Sequence, residues 1–433
     1  MKKIARKFLL STAVLSLMAV TSHNHSGAFP DFKKLIKPKI TEDMSKQPKV
    51  KVGGNDIVLP KNPTWKDFVG HKYIPDQATV DEVFKVGGHN FGTGDGSWRY
   101  YQHSLSFEKL FEEHGMRFGK MPAHWYRDER IKNKAKKKMK FWKKSKPEVP
   151  YIAQCHEPDG TTNCKITQLQ RKVGTGAPVP YIEIFKNIKK MLDKHRSEVF
   201  ILQLESFLTK WQNGKGKVDI TPQKANEELT KILKESGLYP MLRVLGSANA
   251  GKAWPTFGEL RKSNKRFIMI IDGNKKDFPN FDVVDQYQEN FWEADKIFDP
   301  GAIPLNTNPK ISCEMRGGGR SKTSPAFMMN HFYQIALPKE TAHIKVMLGV
   351  LDLMKKAMPK SWSEKIGVVK ARPYKQVNAY GIVRQRAEYC KAQRGIYPDM
   401  IMIDHMQYGD DGGAQRYVGE MNMQLIAEKY NYK

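Results

Sequence analysis

"VPYIEIFKNIKKMLDKHRSEVFILQLE", residues 179–205, joins two kinds of periodicity in one breath. In its first part Tyr181, Phe185, Ile188 and Leu192 recur at helical spacing, with Lys and Glu on the opposite face, which predicts an amphipathic helix. "VFILQLE" follows at once, an apolar run of strand length. The same order returns in "FGELRKSNKRFIMIIDG" at 257–273 and in "EYCKAQRGIYPDMIMID" at 388–404. A helix leading repeatedly into a fully apolar strand predicts an α/β protein whose parallel strands are covered on both faces.

The ends of these strands carry the polar residues. "VFKVGGHN" closes with His89 and Asn90, "PYIAQCHE" with His156, "VFILQLE" with Glu205, "FIMIIDG" with Asp272 and "MIMID" with Asp404. In a β/α barrel such residues converge on one mouth, and in an open sheet they line the crevice at a switch point. Two histidines facing each other can serve as general base and general acid, because an imidazole titrates near neutrality. That suits phosphodiester cleavage, with a carboxylate orienting one ring and a fixed cation balancing the phosphate. No HExxH-type spacing supports a zinc hydrolase, and "GGHNFGTGDG" is not a phosphate-binding P-loop.

Residues 1–28 combine Lys2, Lys3, Arg6 and Lys7 with the apolar run "FLLSTAVLSLMAV" and a small-x-small site at Ser26 and Ala28. This predicts a cleaved secretory signal, so that His23 and Asn24 leave with it and the mature chain is exported. Losing those four basic residues lowers the formal charge from +28 to +24, which still favours anionic partners. No later apolar run reaches membrane-spanning length, so no transmembrane helix is expected after cleavage. Residues 29–64, rich in Lys and Pro, are expected to form an irregular extension, and 65–433 the folded unit. Cys155, Cys164, Cys313 and Cys390 are an even set in an exported chain, with three connectivities open, Cys155 with Cys164 among them.

From about residue 65 to 425 the chain resembles, in order, the X-domain family of phosphatidylinositol-specific phospholipases C. "VGGHNFG" is similar to the family's "GTHNS", "GMRFGKMPAHW" to its G-x-R strand and "HW" end, and "PYIAQCHE" to its "LCHG". "RSEVFILQLE", "WPTFGELRKSNKRFIMII", "SCEMRGGG", "FMMNHF" and "YPDMIMID" continue the series. The resemblance implies an irregular TIM-type β/α barrel. It implies His89 as the base on the inositol 2-hydroxyl, His156 as the acid on the diacylglycerol oxygen, and Asp404 as the residue orienting His89. Asn90 and Glu205 match positions that bind calcium in calcium-dependent members. The family's acidic residues are missing where Lys120 and Pro122 stand. A full calcium shell of six to eight oxygens is therefore not expected, and Lys120 is read as a built-in cation or as a mark of lost activity.

Lys120, Pro122 and His124 share one strand face by the period of two. Asn90, Arg117, Lys120 and Glu205 form the expected substrate- and phosphate-binding set, with Arg117 also read as pairing structurally with a strand-end carboxylate. Asp272 is read chiefly as a turn cap, His331 as a packing histidine and Cys155 as a disulfide partner. "RDERIKNKAKKKMKFWKKSK", residues 127–146, inserts eleven basic residues with Phe141 and Trp142. It is read either as a loop that docks on anionic lipid or as a solvated charge run. No nucleic-acid reading motif accompanies it. The expected function is a secreted phosphodiesterase acting on phosphatidylinositol-type lipid without a resident cofactor. The rivals are an inactive barrel that binds phosphoinositide or anionic membrane, and a phosphodiesterase of another head group.

Overall fold

The computed structural model describes residues 49–91, 103, 105–126, 151–154, 179–206, 208, 212–213, 216–217, 221–245, 254–273, 275–283, 291–294, 313, 326–332 and 375–430. The expected signal at 1–28, the basic insertion, His156, Cys155 and Cys164 lie outside the described residues.

Among the described residues the barrel sheet is built on β1 Lys85–His89, β2 Met116–Tyr126, β3 Phe200–Ser206, β4 Phe267–Asp272, β5 Asp282–Val283, β6 Phe291–Ala294, β7 Ala326–Asn330 and β8 Met400–Ile403, with the short Leu242–Arg243 segment pairing beside the start of β4. Each pairs in parallel with its neighbour in sequence, from β1 through to β5 and from β6 through to β8. The last strand then pairs with the first, Ile401 opposite Val86 and Ile403 opposite Gly88. A parallel sheet whose order is cyclic is a barrel, here an irregular α/β barrel whose ladder is open between β5 and β6 among the described residues.

Alternation along each strand sorts the apolar residues into two layers. Phe118, Ile201, Ile268, Ile270, Met328, Met400 and Met402 belong to the cluster inside the barrel. Leu202, Leu204, Met269, Ile271, Met329, Ile401 and Ile403 belong to the layer between sheet and helices. The helices are α1 Phe107–Glu112, α2 Tyr181–Lys194, α3 Pro222–Glu235, α4 Phe257–Lys262, α5 Tyr380–Arg394 and α6 Gly413–Lys429. α2 buries Tyr181, Ile184, Phe185, Ile188, Met191 and Leu192, the stripe expected from its spacing. α4 starts on a capping box between Thr256 and Glu259, and α5 stops at Gly395, whose φ of 81° caps it in the left-handed region.

Two expectations change. Part of the stretch expected to be irregular is a β-hairpin, Lys49–Val52 against Asn55–Val58, with Val50, Val52 and Leu59 buried. Its turn is Gly53-Gly54, both at positive φ (59° and 81°). Both turn amides donate to the Asp76 carboxylate at 2.8 Å. The second change concerns Tyr151–Gln154, which is a strand but not a barrel stave. It runs antiparallel to the protruding end of β2, Ala153 opposite His124, and pairs onward with Val179–Pro180. Of the four cysteines, Cys313 and Cys390 are bridged, tying α5 to a residue 77 positions earlier.

Candidate active site

The upper mouth of the barrel is set by two strands that break directly after a polar residue. β1 ends at His89, and Asn90 takes φ 53°; β8 is followed by Asp404, and His405 takes φ 49°. The left-handed region is uncommon outside glycine, tolerable for Asn and His, and concentrates at functional sites. Asn90 is fixed there by its backbone N–H, which donates to the Lys120 carbonyl at 2.8 Å. The turn leaves the His89 side chain at the rim, buried but with 11% of its side chain open.

His89 Nδ1 lies 3.0 Å from Asp404 Oδ1, and the Asn90 amide Nδ2 lies 3.1 Å from His89 Nε2. These partners set the tautomer: Nδ1 carries the proton and donates to the carboxylate, while Nε2 keeps the lone pair and accepts from Asn90. Burial pushes the Asp404 carboxyl well above the ordinary carboxylate range. A carboxylate that is poorly solvated is a strong acceptor, so it strengthens the basicity of the ring it holds. Asp404 is itself held from behind, its carbonyl accepting from Asn378 Nδ2 at 2.7 Å.

Next to His89 in register stands Lys120 of β2, which in turn opposes Gln203 of β3. The Lys120 side chain is only 1% exposed, and its Nζ sits 3.2 Å from Glu205 Oε1. β2 is pinned at this level by Tyr181, whose hydroxyl donates to the Pro122 carbonyl at 3.0 Å. Gly119, just before the lysine, has no room for a side chain: a Cβ there would fall 2.1 Å from the Phe91 ring. His124, two pairs further along the same face, is buried.

The structure therefore brings together His89, Asn90, Asp404, Lys120 and Glu205. It separates Arg117 from them. Arg117 Nε donates to Glu198 Oε2 at 2.6 Å and its Nη1 to the Phe111 and Met116 carbonyls at 2.7 and 3.0 Å, at the N-terminal end of the strands. The expected phosphate-binding role of Arg117 is thus corrected to a structural one, and its partner carboxylate precedes β3 rather than ending a strand. Asp272 is exposed at the end of β4. His331 is buried, with Nε2 donating to the Val377 carbonyl at 2.8 Å. Burial, with Arg386 adding to it, lowers its pKa to about 3, as a packing histidine requires. The strand Tyr151–Gln154 carries the chain to within two residues of His156.

Three contributors were not anticipated. Phe332 stacks on the His89 ring, centroids 4.0 Å apart and planes 6° apart. Asn378 clips Asp404, and His103 packs behind β1, where burial drives its pKa well below that of a free imidazole. No sequence signal marked the first two, because each acts through a neighbour distant in the chain.

As for a cation, one Glu205 oxygen is engaged by the Lys120 ammonium. Among the described residues no group of three or more His, Cys, Asp or Glu side chains is spaced to hold a metal ion. Asn90 and Glu205 by themselves supply too few oxygens for a calcium shell of six to eight.

No family model and no curated protein matches the chain. Among solved structures, the phosphatidylinositol-specific phospholipase C from Listeria monocytogenes matches with a TM-score of 0.36 and 11% identity, over 84% of this chain and 98% of that one. A histidine-to-tyrosine mutant of the corresponding enzyme from Staphylococcus aureus matches with a TM-score of 0.41 and 10% identity, over 82% and 95%. Likeness of this degree does not carry function or residue roles.

Proposed function

We propose that the protein is an exported phosphodiesterase that cleaves phosphatidylinositol-type phospholipid by intramolecular attack. The observation that carries this reading is the His89–Asp404 pair, with its acceptor nitrogen at the barrel mouth and the Lys120 ammonium on the adjacent strand. His89 Nε2 takes the proton of a ring hydroxyl next to the diester. That oxygen bonds to phosphorus while the bond from phosphorus to the glycerol oxygen breaks. His156 gives a proton to the leaving oxygen, and the products are diacylglycerol and a cyclic inositol phosphate. No oxidation or reduction is involved. Asn90 yields Nε2 to the substrate hydroxyl, and Lys120 balances the charge on the phosphoryl oxygens where a metal would otherwise be needed.

Export and lipid docking belong to the same proposal. The signal-like residues 1–28 and the Cys313–Cys390 bridge support an oxidising destination. No helix among the described residues is long and apolar enough to cross a membrane. The basic segment 127–146 would meet an anionic bilayer, at about 1 kcal/mol per basic residue near the surface.

One observation favours the rival, a barrel that binds anionic lipid without cleaving it: Lys120 is already neutralised by Glu205. The two readings separate in one assay. Purified protein is mixed with phosphatidylinositol vesicles, with and without chelator, and soluble inositol phosphate is measured. Wild type is expected to release it at the same rate with chelator, and His89→Ala to fall by at least about 100-fold. Binding without release would establish the rival, and release abolished by chelator would remove Lys120 from its role.

A further inference from the structure

Phe332 lies two residues beyond β7, inside the barrel, with only 2% of its surface exposed. Its ring covers one face of His89 at 4.0 Å, nearly parallel. Both nitrogens of that imidazole are directed in the ring plane, one to Asp404 and one to Asn90, so the covered face is the remaining degree of freedom that could tilt it. Phe332 is held firmly in turn. The preceding residue, His331, donates its backbone N–H to the Met402 carbonyl at 2.7 Å and its ring N–H to the Val377 carbonyl at 2.8 Å. Val377 adjoins Asn378, which clips Asp404. One pair of neighbouring segments thus supports both members of the dyad, Phe332 on the histidine and Asn378 on the aspartate.

We infer that Phe332 is a positioning residue for His89, fixing the plane of the imidazole and stabilising its protonated form through the aromatic face. This rests on the reading of His89 as the base. An aromatic face carries negative quadrupole density and attracts a cation lying over it. The neutral ring gains less, so the stack favours the state that His89 reaches once it has taken a proton. The effect opposes desolvation, which by itself would disfavour an imidazolium in a site this closed. Among the described residues, the titratable groups facing His89 are Asp404 from β8 and Lys120 from β2, with Glu205 of β3 behind Lys120 and His103 packed on the outer side of β1.

The test is an NMR titration of the His89 ring, labelled at Cε1, in wild type, Phe332→Leu and Phe332→Tyr, and in protein carrying a trifluorinated phenylalanine at 332. The fluorinated ring keeps the shape and removes most of the quadrupole, so it serves even if the leucine variant does not fold. The titration midpoint is expected to fall by about half a pH unit, a factor of about three in proton affinity, for leucine and for the fluorinated ring. Tyrosine is expected to keep it. The acidic limb of kcat/KM should move by the same amount, with KM unchanged. A midpoint that stays put in the leucine and fluorinated proteins would overturn the inference even if lipid cleavage is established. A midpoint that moves in a protein with no cleavage activity would uphold the stack and refute the proposed reaction instead.

Discussion

At the N-terminal end of the strands Arg117 and Glu198 bury an ion pair beside His71, whose pKa burial drives well below that of a free imidazole; at the C-terminal end His89, Asp404, Lys120 and Glu205 gather about 10 Å further along β2. Glu198 accepts from Arg117 and from the His71 backbone at 2.6 and 2.8 Å, and the guanidinium also lies 3.9 Å over the Phe111 ring. Burial would raise the Glu198 pKa, but Arg117 and His71 outweigh it and bring it down to about 2. In the upper cluster burial prevails, and Asp404 moves the other way. Both ends hold ionisable groups out of water, so burial alone does not separate a scaffold from a site. Nor does the direction in which a carboxyl is driven, since burial also raises Asp399 to about 7 beside Lys85 at the N-terminal end; what sets the upper cluster apart is an imidazole at the rim, held by a carboxylate and partly open.

Exchanging one oxygen for nitrogen at each end should break the symmetry. Asp404→Asn is expected to lower the rate of lipid cleavage by about 10⁴-fold, since the amide permits the wrong His89 tautomer. Its urea midpoint should stay at or above that of wild type, because an unfavourably buried carboxylate has been removed. Glu198→Gln is expected to cost about 3–5 kcal/mol by leaving Arg117 buried without its counter-charge. Activity per folded molecule should be unchanged there, measured as vesicle turnover normalised to native signal. If both variants lost activity in proportion to stability, the two ends would not differ in kind.

Acid titration sharpens the same contrast at smaller amplitude. The folded-state pKa of Glu198 lies below its unfolded value, so its contribution is present above about pH 4.5 and disappears as pH falls toward 2. The shift corresponds to about 3 kcal/mol at neutrality. Asp404 has the opposite sign: its raised pKa favours the fold in acid and disfavours it as pH rises through the folded value. Urea unfolding followed from pH 7 to pH 3 should show wild type losing stability that Glu198→Gln no longer has to lose. Asp404→Asn should gain on wild type as pH increases.

The barrel was legible because helix and strand periods alternate without ambiguity around 179–205, 257–273 and 388–404. The site residues at strand ends were legible for the same reason: once the strands are placed, His89, Lys120, Glu205 and Asp404 fall at one level. The structural reading of Arg117 holds, while its phosphate-binding alternative fails on parity, since it stands three residues from Lys120 and cannot share its face. The direction of Tyr151–Gln154 was hidden because periodicity tells a strand from a helix but not parallel from antiparallel. The hairpin at 49–58 was masked by its lysines, despite a Gly-Gly turn between alternating residues. Phe332 and Asn378 left no trace, as a ring stack and a backbone clip depend on segments 243 and 26 residues away meeting in space.

The Cys313–Cys390 bridge encloses the stretch of chain that contains β7, Phe332 and Asn378. A closed loop of this length restricts the unfolded chain by about 4.5 kcal/mol in the entropic account. Both props of the dyad therefore sit on a tether that only an oxidant can tie. A chain with Cys313 and Cys390 reduced would keep every residue of the site and lose this restraint on the segments that carry Phe332 and Asn378.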